Sequence, residues 1–97
     1  MGDKNSEAQV KDVKDAKLLE VLIIDPDKII YEGQATKVFA PGPYGEVAFL
    51  PHHAPLYSEL SSGKVSIEES GGKLVTKEIE GGVVRIKNNT IKILVGF

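Results

Sequence analysis

The chain has 97 residues, 41% of them hydrophobic and 27% charged, with 12 Lys and Arg against 14 Asp and Glu for a formal net charge of −2. That length suits one small domain with one core, and the absence of cysteine removes disulfides and thiolate chemistry. The sequence has no basic cluster, so the electrostatic footprint of a nucleic-acid binder is missing, and no apolar run approaches the roughly 18 residues of a membrane-spanning helix.

Residues 1–17 differ from the rest. They carry four Lys against Asp3, Glu7, Asp12 and Asp15, and their only sizeable apolar side chains are Met1, Val10 and Val13. Ser6 with Gln9 offers a capping box and Glu7 with Lys11 an i,i+4 pair, but a helix this short is marginal without packing. Residues 1–17 therefore read as a flexible or weakly helical tail, and residues 18–97 as the domain. From Leu18 the period changes to two. The run Glu20-Val21-Leu22-Ile23-Ile24 is stopped by the turn signal Asp25-Pro26-Asp27, and Lys28 to Glu32 restarts the chain as a strand. Gly33 marks a bulge or kink before Ala35 to Phe39. Beyond the Pro-rich segment 41–56 comes a strand ending at Leu60, a turn at Ser61-Ser62-Gly63, and a half-buried strand over Lys64 to Glu68 with Val65 and Ile67 on one face. Ser70-Gly71-Gly72 reads as a hairpin turn into Lys73 to Glu80, Gly81-Gly82 as a turn into Val83 to Lys87, and Asn88-Asn89 as the turn of a last hairpin with Thr90 to Val95. Short strands in this number, with Gly, Asn and Pro at the junctions and no convincing helix, predict an all-β sandwich or barrel.

The segment from Pro41 to Leu56 is the most informative. Pro41, Pro43, Pro51 and Pro55 lock φ, and Gly42 and Gly45 supply conformations other residues avoid, so a rigid loop, a strand and a second rigid loop follow one another. The segment closely resembles the epsilon subunit of F-type ATP synthases (delta subunit in mitochondria), matching at Gly42, Gly45, Glu46, Leu50, Pro51, His53, Ala54, Pro55 and Leu56. His52 stands where the family usually has Gly, and Ala48 where Gly is common. The opening LLEVLIIDPDKIIYEG and the closing EGGVVRIKNNTIKILV are also similar to the family's first strands and last hairpin, so the resemblance covers residues 18 to 95.

The resemblance implies a sandwich of two packed sheets, about ten short strands in all. It also implies a non-catalytic central-stalk subunit that links the gamma subunit to the membrane c-ring in proton-driven ATP synthesis. The edge that meets gamma and the c-ring is then built from Gly42, Gly45, Glu46, Pro51, His53, Ala54, Pro55 and Leu56. Most family members continue into a C-terminal pair of inhibitory helices, which this chain is expected to lack. A peripheral position on the cytoplasmic face of the bacterial membrane, or the equivalent organelle compartment, follows from the resemblance, and the isolated chain is expected to be monomeric.

The residues themselves support little catalysis, and no catalytic, cofactor or metal site is expected. His52 and His53 are adjacent, so in extended chain they point to opposite faces and cannot chelate one ion together. One imidazole is expected to pack into the loop and bond the backbone while the other meets solvent or a partner. Ser58 lacks a nucleophile elbow. Gly81-Gly82 lacks the P-loop pattern and leads into a strand. Glu46 reads equally as a solvated strand end or, through the resemblance, as a carboxylate facing cations on the c-ring. The alternative function is an independent β-sandwich module binding a peptide or small ligand, although only six aromatic residues, spread along the chain, are available to line a pocket.

Overall fold

A computed structural model describes residues 18–96, so the expected tail over residues 1–17 lies outside the described residues. Among the described residues every regular element is a strand: β1 (Leu19–Ile24), β2 (Ile29–Gly42), β3 (Gly45–Phe49), β4 (Leu56–Glu69), β5 (Leu74–Lys87) and β6 (Thr90–Val95). Three of these run for 14 residues each, so several of the about ten short strands expected are halves of continuous ones. The expected turns at Ser61-Ser62-Gly63 and Gly81-Gly82 do not reverse the chain. They face one another inside the β4–β5 ladder, whose register passes from Leu60↔Gly82 to Ser62↔Glu80 without a shift. Gly81 has φ 116°, and a Cβ on Gly82 would overlap the Leu94 carbonyl of the neighbouring strand. Glycine therefore lets a strand bend and approach its neighbour here, where the sequence alone reads as a stop. The kink expected at Gly33 is likewise displaced: Gly33 pairs with Val21, and the irregularity falls between Ala35 and Lys37.

Each long strand serves two layers. The strands follow the order β1-β6-β5-β4-β2-β3, and an extra β1–β2 pairing closes the ring. One layer holds the first half of β2, all of β1 and β6, the second half of β5 and Leu56–Leu60 of β4. The other holds β3, the second half of β2, the second half of β4 and the first half of β5. By halves, the six strands make the two stacked sheets of the expected all-β sandwich, closed like a barrel where the long strands cross over. β1 and β6 run parallel.

Alternation places the core where the layers meet. Leu19, Val21 and Ile23 of β1, Val65 and Ile67 of β4, Val84 and Ile86 of β5, and Ile91 and Ile93 of β6 are all essentially without solvent contact, and Phe49 closes the end of β3. No polar or charged residue is buried among the described residues, so packing of branched aliphatics between pleated sheets holds the fold together.

Candidate partner-binding edge

β2 and β3 form a hairpin whose last pair is Gly42↔Gly45, with Pro43-Tyr44 as the two-residue connection. Gly42 is buried, and a Cβ there would sit 2.8 Å from the Gly45 carbonyl oxygen, which no side chain tolerates. Gly45 has φ 130°, a backbone state that favours glycine. Tyr44 at the tip is fully exposed, and Glu46 is exposed one residue past the turn.

At the other end of β3 the chain turns at once. His53 N–H donates to the Leu50 carbonyl over 3.2 Å, making a four-residue turn with Pro51 second and His52 third. His52 has φ 71°, the left-handed state that type II turns place at their third position and that glycine fills most easily. The His53 ring is half-buried, meets Phe49 edge-on at 5.3 Å and 70°, and its Nδ1 lies 2.6 Å from the Ala54 carbonyl. The tautomer carrying hydrogen on Nδ1 donates that bond. His53 is thus the imidazole that braces the loop, and His52, Ala54, Pro55 and Leu56 are exposed.

The eight candidate residues do not form one cluster. Gly42, Gly45 and Glu46 sit at the hairpin tip, whereas Pro51, His53, Ala54, Pro55 and Leu56 lie beyond the opposite end of β3. The four steps of extended chain from Glu46 to Leu50 separate the two groups by roughly 14 Å at about 3.4 Å per residue. The sequence reading missed Asn89. Its Oδ1 accepts the His52 N–H over 2.6 Å, while its backbone carbonyl accepts the Glu20 N–H over 2.8 Å. An Asn-Asn turn signals positive φ, which both residues have, but nothing in it signals a bond to a loop 37 residues away. Ser61 is a second unsignalled brace, with Oγ 3.3 Å from the Gly42 carbonyl.

A family model described as "ATP synthase, Delta/Epsilon chain, beta-sandwich domain" matches residues 18–96. The chain is 43% identical over 79 residues to the ATP synthase epsilon chain of Leptospira interrogans, covering 81% of this chain and 61% of that one. It is 33% identical over 76 residues to that of Brevibacillus brevis, covering 78% and 58%. The chain thus spans about three fifths of the length of these relatives. Among solved structures, a chain of the Euglena gracilis mitochondrial ATP synthase superposes with a TM-score of 0.77 at 20% identity, covering 81% of this chain and 51% of that one. One from the Tetrahymena thermophila mitochondrial ATP synthase central stalk and c-ring gives 0.66 at 20% identity, covering 81% and 63%. Those two likenesses establish the fold; with the family match and the identity to the bacterial relatives, they show that the chain belongs to the ATP synthase delta/epsilon β-sandwich family.

Proposed function

We propose that this chain is a non-catalytic rotor component of an F-type ATP synthase, joining the gamma subunit to the membrane c-ring as a peripheral subunit on the cytoplasmic side or its organelle equivalent. The observation that carries the reading is the family match over residues 18–96. The geometry suits the task. An adaptor that transmits torque needs a stiff body and preformed contacts, and here two layers share three continuous strands while the Pro51–Pro55 loop is pinned by His53 and Asn89. A loop already held in shape loses little entropy on docking. The exposed edges of the sandwich discourage self-pairing, in keeping with a monomer in isolation. Lys77 lies opposite the buried Val65 in the first half of β5, which pairs only with β4 and so forms an edge of its layer, and a charge on the inner face of such an edge opposes edge-to-edge association.

Reconstitution with gamma and c subunits from the same source tests the reading, with co-elution of all three as the expected result. Glu46→Lys reverses an exposed charge, so the stability measured by thermal unfolding should stay within the small range of surface changes, about ±0.5 kcal/mol. Its binding to the gamma–ring assembly should weaken at low salt, where attraction to a partner cation becomes repulsion. Unchanged binding by this variant removes Glu46 from the contact, and failure of the wild-type chain to co-elute removes the reading itself.

A further inference from the structure

The sequence has no basic run, yet the sheet assembles one. Arg85 of β5 and Lys92 of β6 are direct cross-strand partners. Opposite residues of an antiparallel pair share a face with Cβ atoms about 5 Å apart, and like charges in that relation are destabilising. Lys87 lies two residues on from Arg85, on the same outer face and about 7 Å along the strand. The other cross-strand neighbours of this trio are Tyr57, Leu22 and Thr90, so no carboxylate stands directly opposite any of the three. Glu20, across from Thr90, and Glu59, across from Val83, are one step further, and Glu20 Oε2 accepts a 2.7 Å bond from Gln34 Nε2 on the far side. Three cations thus crowd together in a chain of net charge −2.

An apolar strip borders them. Tyr57 is 70% exposed directly opposite Arg85, and Pro55 and Tyr57 line a shallow hollow with Arg85 and Lys87. A second hollow takes in Arg85, Lys87 and Lys92, so the two share Arg85 and Lys87.

From this juxtaposition we infer that the outer face of the β5–β6 hairpin is a docking surface for an extended acidic segment of a protein partner. Carboxylates two residues apart in an extended chain are spaced about 7 Å, the separation of Arg85 from Lys87, with Lys92 beside them. A neighbouring apolar side chain of the same segment would lie on Pro55 and Tyr57. A free phosphate would engage the cations alone and leave that strip uncovered, which is why a peptide is the better fit. The surface is separate from Glu46 and borders the proposed gamma–ring edge at Pro55.

The test uses the full chain and two synthetic decapeptides, one with two Glu at alternate positions followed by Leu and Val, the other with Gln in place of Glu. Backbone amide shifts are followed by NMR during titration at low salt. The acidic peptide should give saturable shifts at residues 55–57, 85–87 and 92, and its affinity should fall at least tenfold with the Gln peptide and with the double variant Arg85→Glu, Lys92→Glu. Lys64→Glu, a reversal elsewhere on the surface, should leave it within twofold. Arg85 and Lys64 are exposed and Lys92 is half-buried, and a spectrum that matches wild type outside the patch verifies that the variants fold. Absence of saturable shifts, or equal affinity for the double variant, overturns the inference. So does inorganic phosphate reproducing the same shifts at the same affinity, which would mark a simple anion site, or capture of the chain through these cations by phosphatidylserine vesicles but not by the peptide, which would mark a lipid surface.

Discussion

His52 and His53 have the same side chain and opposite consequences. His53 combines an edge-on contact with Phe49 and a bond to the Ala54 carbonyl. An aromatic pair of this kind contributes about 0.5–1.5 kcal/mol and a net hydrogen bond about as much. His53→Ala should therefore cost roughly 1–2 kcal/mol, lowering the melting temperature by several degrees in a domain this small. A melting curve unchanged from wild type would show that the ring braces nothing. His52, at φ 71°, carries a left-handed backbone that costs a non-glycine residue about 1 kcal/mol or more. His52→Gly relieves that strain while adding freedom to the unfolded chain, and the balance is expected to be a gain of about 0.5 kcal/mol, read as a higher denaturation midpoint. That His52 replaces a family glycine was legible in the sequence. That Asn89 holds the same loop was not, because hydrogen bonds between distant turns depend on the closed sheet and leave no local pattern.

At the scale of the elements, alternation and turn residues located nearly every strand, and the errors share one cause. Gly63 inside β4 and Gly81-Gly82 inside β5 look like turns because the same conformational freedom serves a reversal and a crossover; only the pairing of β4 and β5 with each other and with β2 and β6 decides between them. The two layers are also tied across such a crossover by Tyr31. Its ring lies over Gly33 and its hydroxyl donates to Glu69 Oε2 at the end of β4 over 2.5 Å. Burial, then the bond to Glu69 and the nearby carboxylate charge, push the phenol up to about 12 from its ordinary 10. A pKa raised in the folded state means that the contribution is complete below pH 10 and disappears as pH climbs from about 10 to about 12, because the unfolded phenol ionises first. Tyr31→Phe should thus be less stable than wild type at neutral pH, and the difference should shrink across that window when denaturation midpoints are compared from pH 9 to 12. A constant difference would show that the hydroxyl does not titrate with folding.

For the molecule as a whole, the parallel pairing of β1 with β6 fixes the order in which the fold can be completed. β1 finds β2 early, through the Asp25–Lys28 turn, whose Asp25 Oδ1 accepts the N–H groups of Asp27 and Lys28 over 2.8 and 2.9 Å. Its other edge waits for the final strand, which slots between β1 and β5. Until residues 90–95 are present the ring stays open, and Ile91, Ile93 and Val95 are absent from the core. At about 1.5–3 kcal/mol for each buried side chain, their loss rivals the entire net stability of a small domain, about 5–15 kcal/mol. A chain cut after Asn89 should therefore give a far-UV spectrum and amide exchange of an unfolded polypeptide, whereas a cooperative melt would show that β6 is dispensable. Contacts that join the first strand to the last have high sequence separation and form slowly. On a ribosome, which delivers the chain from its N-terminus, the domain cannot close before Val95 has emerged, so it completes its fold as one late event with the opening strand held half-paired until then.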